Sequence, residues 1–166
     1  MNLYILRHGI AMDKGKWRGP DSDRPLTKEG LRKTKKAAKG LRHLDLKIDW
    51  VLTSPYRRAY DTAVITAREL KLKKKLRIIK SLAADGDPKA LIRYLSQNLH
   101  TWESVMLVGH EPYLGQMIGI LTAGTKEAGP ELDKGGLAKL STDSLSYGQC
   151  AELEWLLTLG ILKRLS

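Results

Sequence analysis

The sequence predicts an α/β fold: a three-layer αβα sandwich with a mixed, mostly parallel sheet and helices on both faces. Three observations predict it. Short apolar runs alternate along the chain with longer segments whose apolar residues recur every three to four positions. Serine, threonine or aspartate, twice followed by proline, stands where helices should begin. No repeat, low-complexity stretch or linker interrupts the pattern, so residues 1–166 read as one domain.

Residues 2–6, Asn-Leu-Tyr-Ile-Leu, form the first strand, bounded by Gly9. A polar loop from Ala11 to about Pro25 follows. Thr27 then caps a helix running to about His43, and Leu26 with Leu31 has the spacing of a hydrophobic staple. Trp50 to Thr53 is the second strand. Ser54-Pro55 reads as N-cap and first position of a helix to about Leu70. Residues 76–79 make a short third strand. Asp87-Pro88 repeats the capping signal, and Leu91, Ile92, Leu95 and Leu99 supply one apolar face. Residues 105–108 are the next strand, ending in Gly109-His110. A helix from about Pro112 buries Leu114, Met117, Ile118 and Leu121. Strands near 136–140 and 150–157 finish the sheet.

Composition narrows the function classes. The amino terminus enters the first strand with no export signal ahead of it, and no apolar stretch is long enough for a bilayer. A single cysteine excludes an internal disulfide framework and fits the reducing cytoplasm. Cys150 is expected to be a small core residue of the last strand. The formal charge of +11 favours encounter with anions. It is concentrated at residues 32–42 and 71–77, mostly on faces expected to be solvated. No zinc finger or aromatic RNA-binding signature accompanies it, so nucleic acid is not the expected partner. Trp17, Trp50, Trp102 and Trp155 are read as packing residues.

Three strand-to-helix junctions carry chemistry: Arg7-His8-Gly9, Ser54-Pro55-Tyr56-Arg57-Arg58-Ala59 and Gly109-His110-Glu111-Pro112. If their strands are parallel, the junctions share one rim and converge on one pocket. Two arginines, two histidines and two helix amino termini then face a common point. That set suits a phosphoryl group better than a metal, because guanidinium forks and helix N–H groups match phosphate oxygens. Each element alone is weak, and His43 and His100, late in predicted helices, are assigned to surface or capping roles. Recurrence at the same place in three units is the signal.

With Leu3-Tyr4-Ile5-Leu6-Arg7-His8-Gly9, Arg24-Pro25-Leu26-Thr27, residues 54–62 and Val108-Gly109-His110, the chain resembles the histidine phosphatase, or phosphoglycerate-mutase-like, superfamily. Its short length and Arg-Pro-Leu-Thr segment look most like the SixA-type phosphohistidine phosphatases. The resemblance implies that His8 is a nucleophile carrying a covalent phosphoryl group. It implies that Arg7 and Arg58 clamp phosphate oxygens and that His110 holds the transferring group from the other side. Arg57 is then outward-facing, and Arg24 stands at the pocket mouth. Gly9, Arg24, Ser54 and Asp85 complete the expected substrate-binding set. No metal or other cofactor is expected. A nucleophilic imidazole must be neutral, with its second nitrogen donating to a fixed acceptor such as a backbone carbonyl.

Many members of that superfamily carry a glutamate general acid after the third strand, where Ser81 stands here. Asp85 is the nearest substitute and Glu111 another, while Asp87 is better explained as an N-cap. A sugar alkoxide leaves badly without a proton, being about as basic as hydroxide, with a conjugate acid near pKa ~15.7. An imidazole can leave neutral, with a conjugate acid near ~6.5. The expected substrate is therefore phosphohistidine on a signalling or phosphotransfer protein. Little chain remains for a lid, which disfavours mutase chemistry. The alternatives are a small-molecule phosphomonoesterase and a non-catalytic phosphoprotein-binding module. A cytoplasmic monomer is expected.

Overall fold

The computed structural model describes residues 1–98 and 100–166. Leu99, expected on an apolar helix face, lies outside the described residues. Six strands form one sheet: β1 (Asn2–Arg7), β2 (Trp50–Thr53), β3 (Leu76–Ile78), β4 (Ser104–Gly109), β5 (Leu137–Ser141) and β6 (Glu152–Leu157). Their order is β3-β2-β4-β1-β5-β6. The first four in that order are mutually parallel, while β5 runs antiparallel to β1 and β6 antiparallel to β5.

Alternation along the buried strands sorts side chains into two cores, as a period of two requires. Leu3, Ile5, Leu52, Val105 and Leu107 face one layer, with Leu91, Ile92 and Leu95 of α3 (Pro88–Gln97) and Leu114, Met117, Ile118 and Leu121 of α4 (Tyr113–Ala123). Tyr4, Leu6, Val51, Met106 and Val108 face the other. There they meet Ala37 and Leu41 of α1 (Lys28–Leu41), Ala59, Ala63 and Ala67 of α2 (Arg57–Glu69), and Leu162 of α5 (Leu159–Arg164). The alanines let α2 lie close to the sheet. Each fully buried leucine contributes about 1.5–3 kcal/mol. This is the expected sandwich, with α5 an element the sequence reading did not include. Among the described residues no helix is long and apolar enough to cross a membrane.

Local signals hold in several places. Thr27 caps α1, its Oγ1 accepting from the Gly30 N–H at 2.9 Å, and Asp87 caps α3 by accepting from Lys89 N–H at 2.9 Å. Leu26 is buried at the entry to α1, but Leu31 is exposed, so the expected staple is one-sided. The loop before α1 contains a 3-10 turn at Asp21–Asp23.

Two expectations need correction. Ser54-Pro55 does not open α2, which begins at Arg57 with Tyr56 at the N-cap position. Ser54 is drawn instead into the sheet rim by its N–H, which donates to Val108 carbonyl at 3.0 Å. Cys150 precedes β6 rather than lying in it and is only half-buried, because the chain there turns back to donate from Cys150 and Ala151 N–H to Leu121 carbonyl. Trp50 packs against the core and Trp102 as expected (ring centroids 5.9 Å apart), and it also carries Arg77, whose Cζ sits 3.6 Å from the Trp50 ring centroid.

Candidate active site

Sheet register brings the three junctions level. Arg7 of β1 lies opposite Gly109 of β4, and Thr53 of β2 opposite Val108. With β4 in the middle, the residues that follow these strands emerge together at their carboxyl ends, where such sheets hold ligands. His8 N–H donates to Gly109 carbonyl at 3.0 Å, tying the first and third junctions. Arg58, second residue of α2, completes the group and is 4% exposed.

The rings of His8 and His110 are both buried, with centroids 5.2 Å apart. Nδ1 of His8 lies 2.7 Å from the Gly9 carbonyl oxygen. A carbonyl can only accept, so Nδ1 carries the proton and Nε2 keeps its lone pair. Arg58 Nε donates to that lone pair at 3.3 Å. Burial lowers the pKa of His8 to about 3; the charges of Arg58, Arg7 and Arg24 add to this and the Gly9 hydrogen bond opposes it. His110 is likewise lowered to about 3, by burial first and then by His8 and Arg58. Both rings are neutral at neutral pH.

Ser54 joins two of the junctions. Its Oγ accepts from Tyr56 N–H at 3.1 Å and lies 2.7 Å from Nε2 of His110. Nδ1 of His110 is buried without a hydrogen-bond partner among the described residues. The Tyr56 ring is 5.1 Å from that of His110, and the Arg58 guanidinium carbon is 5.2 Å from the Tyr56 ring. Asp85 reaches this cluster only through Tyr56, whose hydroxyl donates to Asp85 Oδ1 at 3.3 Å.

Arg7 donates through Nη1 to Leu132 carbonyl and lies 3.6 Å from the exposed Glu131 carboxylate, while its Nε is buried without a partner among the described residues. Glu111 accepts from Gly115 N–H and Leu132 N–H at 3.3 and 3.2 Å, holding the residue whose carbonyl Arg7 grips. Burial raises the Glu111 pKa. A groove of about 460 Å³ opens beside Arg7, between Glu111, Gln116 and Pro130. Arg57 is outward, with a 58% exposed side chain paired to Asp61. His43 and His100 are exposed.

Gly9 has a steric reason to lack a side chain. A Cβ there would run into Thr34 Oγ1 of α1. Its N–H donates to Thr62 Oγ1 at 3.0 Å, and the Thr62 hydroxyl donates to Arg58 carbonyl at 2.7 Å. Thr62, Tyr56 and Asp21 are the site residues that sequence reasoning missed. Asp21 grips Arg24 Nε at 2.8 Å and both terminal nitrogens of Arg58. The signal for Thr62 was its position one helical turn after Arg58; for Asp21 it was the carboxylate three residues before Arg24. Among the described residues no group of three or more His, Cys, Asp or Glu side chains could hold a metal ion. A neutral imidazole with a lone pair, ringed by guanidinium groups, is suited to bind and attack a phosphoryl group.

Known proteins resemble this chain in sequence and shape. The family model of the histidine phosphatase superfamily, branch 1, matches residues 3–83. An uncharacterized protein of Picosynechococcus sp. is 36% identical over 145 residues, covering 84% of each chain. The phosphohistidine phosphatase SixA of Escherichia coli is 29% identical over 150 residues, covering 89% of each. The structure of the protein histidine phosphatase SixA complexed with tungstate superposes with a TM-score of 0.84 at 26% identity, covering 96% of this chain and 98% of that one. The α-ribazole phosphatase of Shigella flexneri shares the fold, with a TM-score of 0.71 at 18% identity over 90% of this chain and 96% of that one.

Proposed function

The chain belongs to the histidine phosphatase superfamily, and on that footing we propose that it hydrolyses phosphohistidine on a phosphotransfer protein of the cytoplasm, through a covalent intermediate on His8. The observation that carries the reading is the state of the His8 ring: Nδ1–H is spent on Gly9 carbonyl and the Nε2 lone pair is aimed at Arg58. Around it, His110 Nδ1 and Arg7 Nε are buried without partners among the described residues. An unsatisfied buried polar atom costs about 1–3 kcal/mol, which phosphoryl oxygens would offset by accepting from it.

The steps follow from that geometry. Nε2 attacks phosphorus, and the bond to the substrate's ring nitrogen breaks with its electron pair returning to that ring. A substrate imidazole protonated on its far nitrogen leaves neutral. Arg7, Arg58 and His110 hold the phosphoryl oxygens as charge shifts across the loose transition state. Water then attacks the phosphorus bound to His8, Nε2 recovers its lone pair, and inorganic phosphate leaves. None of these steps calls on a metal.

Asp85 favours a second reading. Its carboxyl group, held at the rim by Tyr56, would in its acid form supply the proton that an alkoxide leaving group needs in a small-molecule phosphomonoesterase. Parallel assays against a phosphohistidine-bearing domain and p-nitrophenyl phosphate separate the two. The expected result is preference for the phosphoramidate, insensitivity to EDTA, and acid-labile phosphate trapped in the wild type but not in His8→Ala. Full turnover by His8→Ala overturns the covalent step, and preference for the ester overturns the substrate.

A further inference from the structure

We propose that Asp21 is a positioning residue that locks the end of the Arg58 guanidinium and thereby presents its side edge to the attacking nitrogen of His8. The proposal rests on the reading of His8 as phosphoryl acceptor. A guanidinium has two bidentate edges, one formed by the two terminal nitrogens and one that includes Nε. Here the terminal edge is taken: Arg58 Nη1 donates to the Asp21 carbonyl at 2.7 Å and Nη2 to its carboxylate Oδ2 at 3.0 Å. Nε, on the other edge, points at His8 Nε2 from 3.3 Å. A phosphoryl group bonded to Nε2 therefore meets Arg58 from the side.

Asp21 reaches across 37 residues to do this. The other carboxylate oxygen, Oδ1, accepts from Arg24 Nε, and Arg24 in turn donates through Nη1 to Met12 carbonyl at 2.6 Å. One carboxylate thus bridges two cations and ties the loop before α1 to the first turn of α2. Burial works against the ionised carboxyl, yet the hydrogen bonds and charges of Arg24 and Arg58 keep it below the usual carboxylate range. An arginine held at one edge loses little further freedom on gripping a phosphate, which is the advantage of a preorganised site.

The rival role for Asp21 is that of an internal anion competing with phosphate for Arg58. The full chain and its Asp21→Asn and Asp21→Ala variants decide between them, with p-nitrophenyl phosphate for turnover and inorganic phosphate as inhibitor. Positioning predicts that kcat falls about 10- to 100-fold, as small misplacement of a catalytic group does, while the inhibition constant for phosphate changes much less. A competing anion predicts unchanged kcat and tighter phosphate binding, and that result overturns the proposal. Nitrogen-15 spectra of the Arg58 side chain give a readout without turnover. The wild type should show separate signals for its two terminal nitrogens because both are held, and the Asn variant should show them averaged. Averaging in the wild type overturns the proposal even if no variant folds. Absence of wild-type turnover would count against the phosphatase reading, and the spectra would still decide the role of Asp21.

Discussion

Ser54 Oγ lies 2.7 Å from His110 Nε2 across a separation of 56 residues, and this contact joins the ends of β2 and β4 into one site. Ser54 also accepts from Tyr56 N–H, so its own proton is free to be donated to His110 Nε2. Where Ser54 donates, His110 is the Nδ1–H form, and that Nδ1, without a partner among the described residues, is a donor.

Ser54→Ala removes that constraint and leaves a buried ring nitrogen unpaired. The penalty of roughly 1–3 kcal/mol corresponds to a loss in kcat/KM of about 5- to 150-fold. Steady-state kinetics with thermal unfolding as a fold check measures it. An unchanged kcat/KM would show that His110 needs no help from Ser54.

The two neutral histidines make stability pH-dependent with a definite sign. Their folded pKa values, about 3, lie below the ordinary value near 6.5, so between those limits the unfolded chain binds more protons. Their contribution is complete above about pH 6.5 and is lost as pH falls towards 3, with a slope of up to about 1.4 kcal/mol per pH unit for each ring. Urea unfolding at pH 7.5, 6 and 5 should show this fall, and His8→Ala should show a shallower one. Equal slopes would rule out a buried, neutral His8.

Gly9→Ala should destabilise the chain by about 1–3 kcal/mol, because the added methyl meets Thr34 Oγ1. Thr34 Oγ1 is buried and has no hydrogen-bond partner among the described residues, so Thr34→Ala alone should cost less. The double variant should recover part of the Gly9→Ala loss, a coupling that a double-mutant cycle measures. Additive losses would mean that the clash is relieved elsewhere.

Adjacent arginines should behave oppositely. Arg57 is exposed and paired with Asp61 on the same helix, so Arg57→Ala should change kcat/KM less than about twofold and stability by less than about 0.5 kcal/mol. Arg58→Lys retains the charge but cannot serve Asp21 and His8 from two edges, and it should lower kcat by about 100-fold or more. Comparable kinetics for the two variants would contradict the assignment of Arg58.

Much of this molecule was legible residue by residue. The strand at residues 2–6 and the runs around Leu52 and Leu107 announced themselves by composition, and their alternation foretold both cores. Thr27 and Asp87 capped where their chemistry said they would. Ser54 misled for an instructive reason. Ser-Pro carries the same local signal whether the serine caps a helix or turns to a histidine, and only the β2–β4 register puts His110 within its reach. Cys150 misled similarly, since an apolar run does not say at which residue pairing begins.

The sequence by itself determined the layered α/β architecture and the kinds of side chain at each strand end, because periodicity and capping are properties of contiguous residues. Only the tertiary structure decided that Asp21 holds Arg58, that Gly9 carbonyl sets the His8 proton, and that Thr62 links the two. Such contacts depend on register and on angstrom-scale distances between segments remote in the chain, and no local pattern of residues encodes those.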